Sequence, residues 1–324
     1  MTDYVAAARN AAPAFGFDDP GIEVLHESEN VVCKVTTPDD QFVMRLHRPG
    51  YNTRAELDSE VLWVQALEAA RIPVPTAVSA LNGDYYIPLE INGEITQVGV
   101  VEWIAGVPLR ELYGQPATNR SLVADYAKIG ALSASVRHCS ESWEAPPGFV
   151  RRRWDTDAFL GETPAWGRFW DVEQLTSSQR DLFVRARSLL TAELSDMATT
   201  SSHFGLIHAD LHLGNVMANG DDLTIIDFDD AGYSWYAYDL AVALHPVLNE
   251  DVYAPAREAI VDGYRSVCPF TVDQEASIDT FLTLRSLIDV SWLDEREALQ
   301  TGDKMAEHIA LAVERAALYV EATG

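Results

Sequence analysis

The stretch GLIHADLHLGNVMANGDDLTIIDFDD, residues 205–230, decides how this 324-residue chain is read. Asp210 stands five positions before Asn215, and Asp227 ends the apolar run Leu223-Thr224-Ile225-Ile226 twelve positions after that asparagine. Between them, Asn219-Gly220-Asp221-Asp222 is a turn signal flanked by two short strand-forming runs, so the segment reads as a tight β-hairpin. Antiparallel pairing across a loop of three or four residues leaves Asn215 and Asp227 within about one diagonal step, roughly 7–8 Å between backbones. From there both side chains reach one Mg²⁺, an ion that takes oxygen ligands at about 2.0–2.1 Å and keeps waters and substrate phosphates in its other positions. Asp210, one loop turn earlier, is expected beside the metal and not on it. It is the candidate base that orients and deprotonates an attacking hydroxyl while the metal neutralises charge on the transferred group. A lone D-x-x-x-x-N carries no such weight, because loops are polar; the ordered set with its turn and strand does. These are the parts that metal-assisted phosphoryl transfer from ATP requires.

With those residues in hand, the segment 205–244 (GLIHADLHLGNVMANGDDLTIIDFDDAGYSWYAYDLAVAL) resembles the catalytic core of the aminoglycoside phosphotransferase and choline kinase superfamily. Within it the nearest groups are the type II homoserine kinases and the bacterial stress-response kinase A group. The resemblance implies an α+β, bilobal, protein-kinase-like fold, with Asp210 as catalytic base, Asn215 and Asp227 as Mg²⁺ ligands, and Asp239 bracing the catalytic loop from the start of a following helix. For His208 it implies support, which is also the ordinary role of a histidine beside a buried apolar run.

Upstream, Ile22–Leu25, Val31–Thr36 and Phe42–His47 alternate as strands, and Thr37-Pro38-Asp39-Asp40 is a hairpin turn. Thr53 with Glu56 three positions later makes a capping box, after which Leu57, Val61, Val64 and Leu67 recur at helical spacing up to Ala70. Two more strands, Tyr85–Ile91 and Glu94–Ile104, flank Asn92-Gly93. Five strands and one long helix therefore make a small antiparallel-sheet lobe over residues 1–105.

Within this lobe Glu60 lies on the same stripe as Leu57 and Val64, where an unpaired carboxylate is costly to bury. Arg45 lies mid-strand in Val43-Met44-Arg45-Leu46. Kinases set a strand lysine against a helix glutamate to hold the α- and β-phosphates. By resemblance Arg45 occupies that lysine's position, with Glu60 as its helix partner. Arginine stays charged and grips phosphate through a bidentate fork, but it does not replace a point charge. The alternative is a structural ion pair with no ligand. Glu27-Ser28-Glu29-Asn30-Val31 takes the place of the glycine-rich kinase loop, and Ser28 and Asn30 are either phosphate donors or plain turn residues. Neither G-x-x-x-x-G-K-[ST] nor G-x-G-x-x-G occurs, which disfavours P-loop and dinucleotide folds.

Val100-Val101-Glu102-Trp103-Ile104-Ala105-Gly106 resembles the superfamily's hinge, where backbone groups of Glu102 and Ile104 bond the adenine edge. Beyond it the chain turns helical: Ser121–His138, Ser177–Ala198, Trp235–Leu248, Tyr253–Val267, Glu275–Glu297 and Gly302–Ala322. Residues 106–324 are thus a larger, mostly helical catalytic and acceptor-binding lobe, with ATP expected in the cleft spanned by the hinge.

Acceptor identity is the least legible part. Trp154, Trp166 and Trp170 either box a quaternary ammonium through cation–π contact or pack a core. Asp229 and Asp230 follow the metal-binding strand and are placed to bind an amine of the acceptor. Arg151-Arg152-Arg153 suits an anionic acceptor group or simply offsets the acidic surface.

Composition bounds these readings. The chain is 48% apolar and 23% charged, an ordinary globular balance. Twenty-three basic against 50 acidic residues give a net charge of −27, which repels polyanions and excludes nucleic acid as a partner. The same charge suits a cationic acceptor or serves solubility. Met1 to Asn10 shows no cationic region followed by an apolar run, no apolar run of about 18 residues spans a membrane, and Cys33, Cys139 and Cys268 have neither metal nor disulfide spacing. A reducing cytoplasm fits. The expected activity is an ATP- and Mg²⁺-dependent kinase acting on a hydroxyl of a small metabolite: an amino alcohol, a homoserine-like amino acid, a sugar or an aminoglycoside. The alternatives are a protein Ser/Thr kinase of the stress-response type and a catalytically silent nucleotide-binding pseudokinase.

Overall fold

The computed structural model describes residues 3–27, 29–113, 121–296, 299–300 and 302–324. In chain order the elements are α1 (Tyr4–Ala11), β1 (Gly21–Glu27), β2 (Val31–Thr36), β3 (Gln41–Leu46), α2 (Arg54–Ala69), β4 (Ala77–Val78), β5 (Tyr86–Ile91), β6 (Glu94–Glu102), β7 (Val107–Pro108) and α3 (Leu109–Leu112). There follow α4 (Leu122–Ser142), β8 (Arg152–Arg153), α5 (Thr156–Leu160), α6 (Ser177–Asp196), β9 (Phe204–Ile207), β10 (Val216–Asn219), β11 (Asp222–Ile225), β12 (Gly232–Trp235), α7 (Tyr236–Leu244), α8 (Tyr253–Arg265), α9 (Val272–Asp294) and α10 (Lys304–Thr323). The α+β expectation holds, and a helix is found in each of the six expected stretches. The expected Trp235–Leu248 is shorter: Trp235 closes β12, the helix spans Tyr236–Leu244, and His245–Val247 is a separate 3-10 turn carrying Pro246. Among the described residues no helix is long and apolar enough to cross a membrane.

The chain forms two compact units. The first comprises Met1–Leu112, Ser142–Arg151 and Gly214–Asp229. Its antiparallel sheet runs β1-β2-β3-β6-β4, with β5 also on β6. Strand parity divides the apolar side chains between two faces. Val31, Cys33, Val35, Met44, Leu46, Val98 and Val100 point to one face and pack with Ala8, Ala11 and Phe15. On the other side Leu57 and Val61 of α2 pack with Tyr86. Arg45, out of phase with Met44 and Leu46, is carried opposite Gly99, where a Cβ would lie 2.5 Å from the Tyr86 ring.

Helix α1 and the two-residue strands β4 and β7 of this unit were not foreseen. Helix α1 is capped by Asp3, whose Oδ1 accepts from the Ala6 N–H at 2.9 Å; its run of alanines offers little apolar periodicity to read. Strand β4 is two residues long and exists through pairing with Val100 and Val101. The capping box on α2 is present, with Thr53 and Glu56 bonding reciprocally. Strand β6 ends at Glu102, so Ile104 lies beyond it.

The hairpin β10–β11 pairs Val216 with Ile225 and Asn219 with Asp222, so its loop holds two residues, not three or four. Gly220, at φ +58°, adopts the left-handed conformation that so tight a turn demands. Strand β7 lines the other side of β10. Gly106, at φ +121°, permits that approach: a Cβ there would sit 2.2 Å from the Ala218 carbonyl oxygen.

The second unit comprises Tyr113–Glu141, Arg152–Leu213 and Asp230–Gly324. A small sheet, β8-β12-β9, sits among helices. Helix α7 is buried along its whole length, and Tyr238 packs on both Phe159 and Phe281. Helices α4 and α8 touch backbone to backbone at Gly130 and Gly263, where added Cβ atoms would lie 2.0 Å from Ile260 O and 1.9 Å from Ala127 O.

Candidate active site

In the first unit the hairpin register puts Asn215 opposite Ile226, whose N–H donates to the Asn215 carbonyl at 2.9 Å. Asp227 is the next residue. Its backbone is left-handed, φ +67°, a conformation that Asp tolerates better than most residues. The Arg45 Nη1 donates to Asp227 Oδ1 at 2.7 Å. Burial by itself would lower the Arg45 pKa, but Asp227, Asp229 and Glu60 override it and hold the guanidinium more firmly charged than usual.

Glu60 takes a different cation from the one the resemblance suggests. Arg151 lies 3.4 Å from its Oε2, and the side chain of Arg151 is wholly buried. A guanidinium has five donors in a fixed fork, so a buried one settles where several acceptors converge. Arg151 donates to the carbonyls of Glu56, Phe228 and Asp229 at 3.0, 2.9 and 3.0 Å as well as to Glu60. Burial raises the Glu60 pKa above its ordinary value, and the nearby Arg151 charge offsets only part of that.

Asp229 is also taken up within this unit. Its Oδ2 accepts from Asn30 Nδ2 at 2.9 Å, its Oδ1 accepts from Asn52 Nδ2 at 2.9 Å, and His47 Nδ1 lies 3.3 Å away. Burial pushes the carboxyl up, but these partners and Arg45 overcome it and hold Asp229 far below the usual carboxylate range. The side-chain Oδ1 of Asn30 accepts from the Arg48 N–H at 2.8 Å. The network therefore anchors the turn after β1, the end of β3 and the approach to α2 on one carboxylate. Ser28, the other phosphate-donor candidate, lies outside the described residues. At the expected hinge the Glu102 N–H donates to Thr76 O at 2.9 Å.

In the second unit, Asp239 at the start of α7 accepts from the N–H of His208 at 3.0 Å and from that of Ala209 at 2.7 Å. Ala209 has φ +67°, a strained conformation for alanine, and these bonds hold it in place immediately before Asp210. Burial raises the Asp239 pKa to about 7, against the opposing effect of the two backbone donors. His208 is buried, and its Nδ1 accepts from the Asp210 N–H at 3.3 Å. The Asp210 carboxylate faces Arg285 Nη2 at 3.2 Å and His212 Nε2 at 3.4 Å.

Arg285 and Asn52 were not singled out from the sequence, and Arg151, read there as an acceptor contact or a surface charge, is the buried partner of Glu60. Arg285 and Asp289 are a charged i,i+4 pair in the apolar run FLTLRSLIDVSWL, which is the same signal that drew attention to Glu60. Trp166 and Trp170 are buried, as is Trp154. The ring of Trp166 stacks on Trp154 at 4.2 Å between centroids, and Arg187 lies 4.0 Å from the Trp170 ring centroid. Those contacts match the core-packing alternative. The Asp230 carbonyl accepts from Trp154 Nε1 at 2.6 Å.

As donors, Asn215 and Asp227 suit a hard divalent cation: one amide oxygen and one carboxylate, with other positions left to water and phosphate. Among the described residues no group of three His, Cys, Asp or Glu side chains is placed to hold a metal ion.

The pattern of the phosphotransferase enzyme family matches residues 21–275. The chain is 26% identical over 240 residues to amicoumacin kinase of Bacillus subtilis (strain 168), a match covering 74% of this chain and 66% of that protein. A solved structure of a microcompartment-associated aminopropanol kinase is 30% identical, with a TM-score of 0.85 over 97% of this chain and 96% of that one. An amicoumacin kinase solved with AMP-PNP and Ca²⁺ shares the fold at 20% identity, with a TM-score of 0.80 over 99% of this chain and 94% of the other.

Proposed function

Because this chain belongs to the phosphotransferase enzyme family, we propose that it transfers the terminal phosphoryl group of ATP, with Mg²⁺, to a hydroxyl of a small metabolite, an amino alcohol first among the classes considered. The observation that carries this reading is the Asn215–Ile226 backbone bond of the hairpin, which sets an amide and the Asp227 carboxylate in consecutive register at the end of one two-stranded ribbon. Support for the acceptor class comes from the near full-length likeness to a kinase named for aminopropanol.

In this reading Asn215 and Asp227 hold the metal, which supplies charge neutralisation on the transferred group. Arg45 offers a permanently charged fork for phosphate oxygens. Arg151 and Glu60 keep α2 and the backbone at Phe228 and Asp229 together. Asp210 accepts the proton of the acceptor hydroxyl as the oxygen attacks, and Asp239 fixes the backbone from which Asp210 projects. Transfer is direct and in line, with no covalent enzyme intermediate. Asp229, with its carboxylate oxygens taken by Asn30 and Asn52, serves the architecture of the first unit and not the acceptor.

The test is ADP release measured across amino alcohols, amino acids, sugars and aminoglycosides, with a casein-like protein alongside. Turnover with an amino alcohol, well above the acceptor-free rate, is expected. Turnover confined to the protein acceptor would replace this reading with a protein kinase, and turnover with none would leave a nucleotide-binding pseudokinase.

A further inference from the structure

The second half of helix α9 is largely buried, Leu282, Leu284, Leu287, Ile288 and Val290 included. A guanidinium in that environment is costly unless its donors are matched. Arg285 is matched on two sides. Its Nε donates to Asp289 Oδ1 at 2.8 Å, one helical turn on, and its Nη2 lies 3.2 Å from Asp210 Oδ1. Asp289 is itself flanked by His245, with Nδ1 at 3.5 Å from Oδ2, while His245 Nε2 lies 3.0 Å from Ser286 Oγ. Burial lowers the His245 pKa, which leaves the imidazole neutral and the net cation of the row on Arg285.

We propose that Arg285 is the positioning residue for Asp210: its planar fork, clamped by Asp289, fixes the direction of the Asp210 carboxylate through one oxygen. The inference rests on Asp210 being the base of the reaction proposed above. A carboxylate on a loop has free rotation about its terminal torsion, and a base must meet the acceptor proton within hydrogen-bond reach. A bond to a single oxygen from a rigid donor removes that rotation. Lysine in place of Arg285 has no second, fixed N–H for Asp289, so it would restore charge without restoring direction.

Steady-state kinetics with ATP and aminopropanol tests this. Arg285→Gln is expected to lower kcat by about 10²-fold, the size of a small misplacement of a reacting group, with the KM values for both substrates nearly unchanged. Arg285→Lys is expected to recover part of the loss. In an Asp210→Asn background, Arg285→Gln should add almost nothing, because a residue that acts through the base has no further effect once the base is gone. Should Arg285→Gln fail to fold, Asp289→Asn, which loosens the clamp and leaves the cation, takes its place with a smaller loss and the same non-additivity. An unchanged kcat, a fully additive loss, or a raised aminopropanol KM with kcat kept would each overturn the inference. Full activity in Asp210→Asn alone would instead remove the base assignment on which it stands.

Discussion

Arg45 and Asp227 form an ion pair at 2.7 Å, joining the cation expected to hold phosphate to the carboxylate expected to hold the metal. Each is the other's partner, although a metal–nucleotide complex would offer both of them stronger ones. Asp229 and Glu60 add to Asp227 in favouring the charged form of the Arg45 guanidinium.

Asp227→Ala is therefore expected to abolish the extra thermal stabilisation that Mg²⁺ adds to ATP. In the unaltered protein that increment follows mass action, reaching about 2.7 kcal/mol at a hundredfold excess over Kd. Differential scanning fluorimetry with and without Mg²⁺ reads it directly. An increment equal to that of the unaltered chain would remove Asp227 from the metal site.

Arg151→Met should be among the most damaging single changes in the first unit. It leaves Glu60 buried without its cation and strips donors from the carbonyls of Phe228 and Asp229. Breaking one side of a buried pair costs on the order of 3–5 kcal/mol. Adding Glu60→Gln removes the stranded charge, so the double variant should be less destabilised than the sum of the singles in urea denaturation. Strict additivity would mean that the pair contributes nothing jointly.

Asp239 provides a pH signature. Its carboxyl titrates near 7 when folded and near 3.8 in its ordinary state, so between those values the folded chain holds a proton that the unfolded chain has released. Stability from this group therefore falls as pH rises from about 4 to about 7 and is level above that. Asp239→Asn cannot ionise and also loses one of the two backbone acceptors for His208 and Ala209. Its destabilisation should be larger at about pH 5 than at about pH 8 in chemical denaturation. The reverse order would show that burial does not dominate at this carboxyl.

Gly263→Ala tests the helix contact in the second unit. With the Ala127 carbonyl oxygen 1.9 Å from the added Cβ, α4 and α8 must separate. Overpacking of this kind costs about 1–3 kcal/mol, in spite of alanine's better helix propensity. A thermal midpoint equal to or above that of the unaltered protein would mean that the two helices part freely.

Much of this architecture was readable in advance because the signals are local. Thr53 and Glu56 lie three positions apart and form their capping box whatever the rest of the chain does. The turn at Asn219–Asp222 and the apolar strand after it are likewise short-range, and they brought Asn215 next to Ile226 even though the loop proved shorter than expected. Helix α1 and strand β4 escaped notice for complementary reasons. The first has alanines in place of an apolar stripe, and the second is too short to have a pattern without its partner strand.

By itself the sequence determined which groups stand in which order on the hairpin, that Asp210 precedes them, and that a charged residue on an apolar stripe must find a counter-ion. Only the tertiary structure decided which counter-ion. Arg151, Arg152 and Arg153 are equivalent as letters, yet Arg151 is buried against Glu60 while Arg152 and Arg153 lie over the rings of Trp154 and Phe204. Arg285 finds Asp210 across 75 positions of chain. Periodicity and turn chemistry act over a few residues and survive in the sequence. The choice of partner for a buried charge depends on which acceptors packing brings within about 3 Å, and that is a property of the folded chain alone.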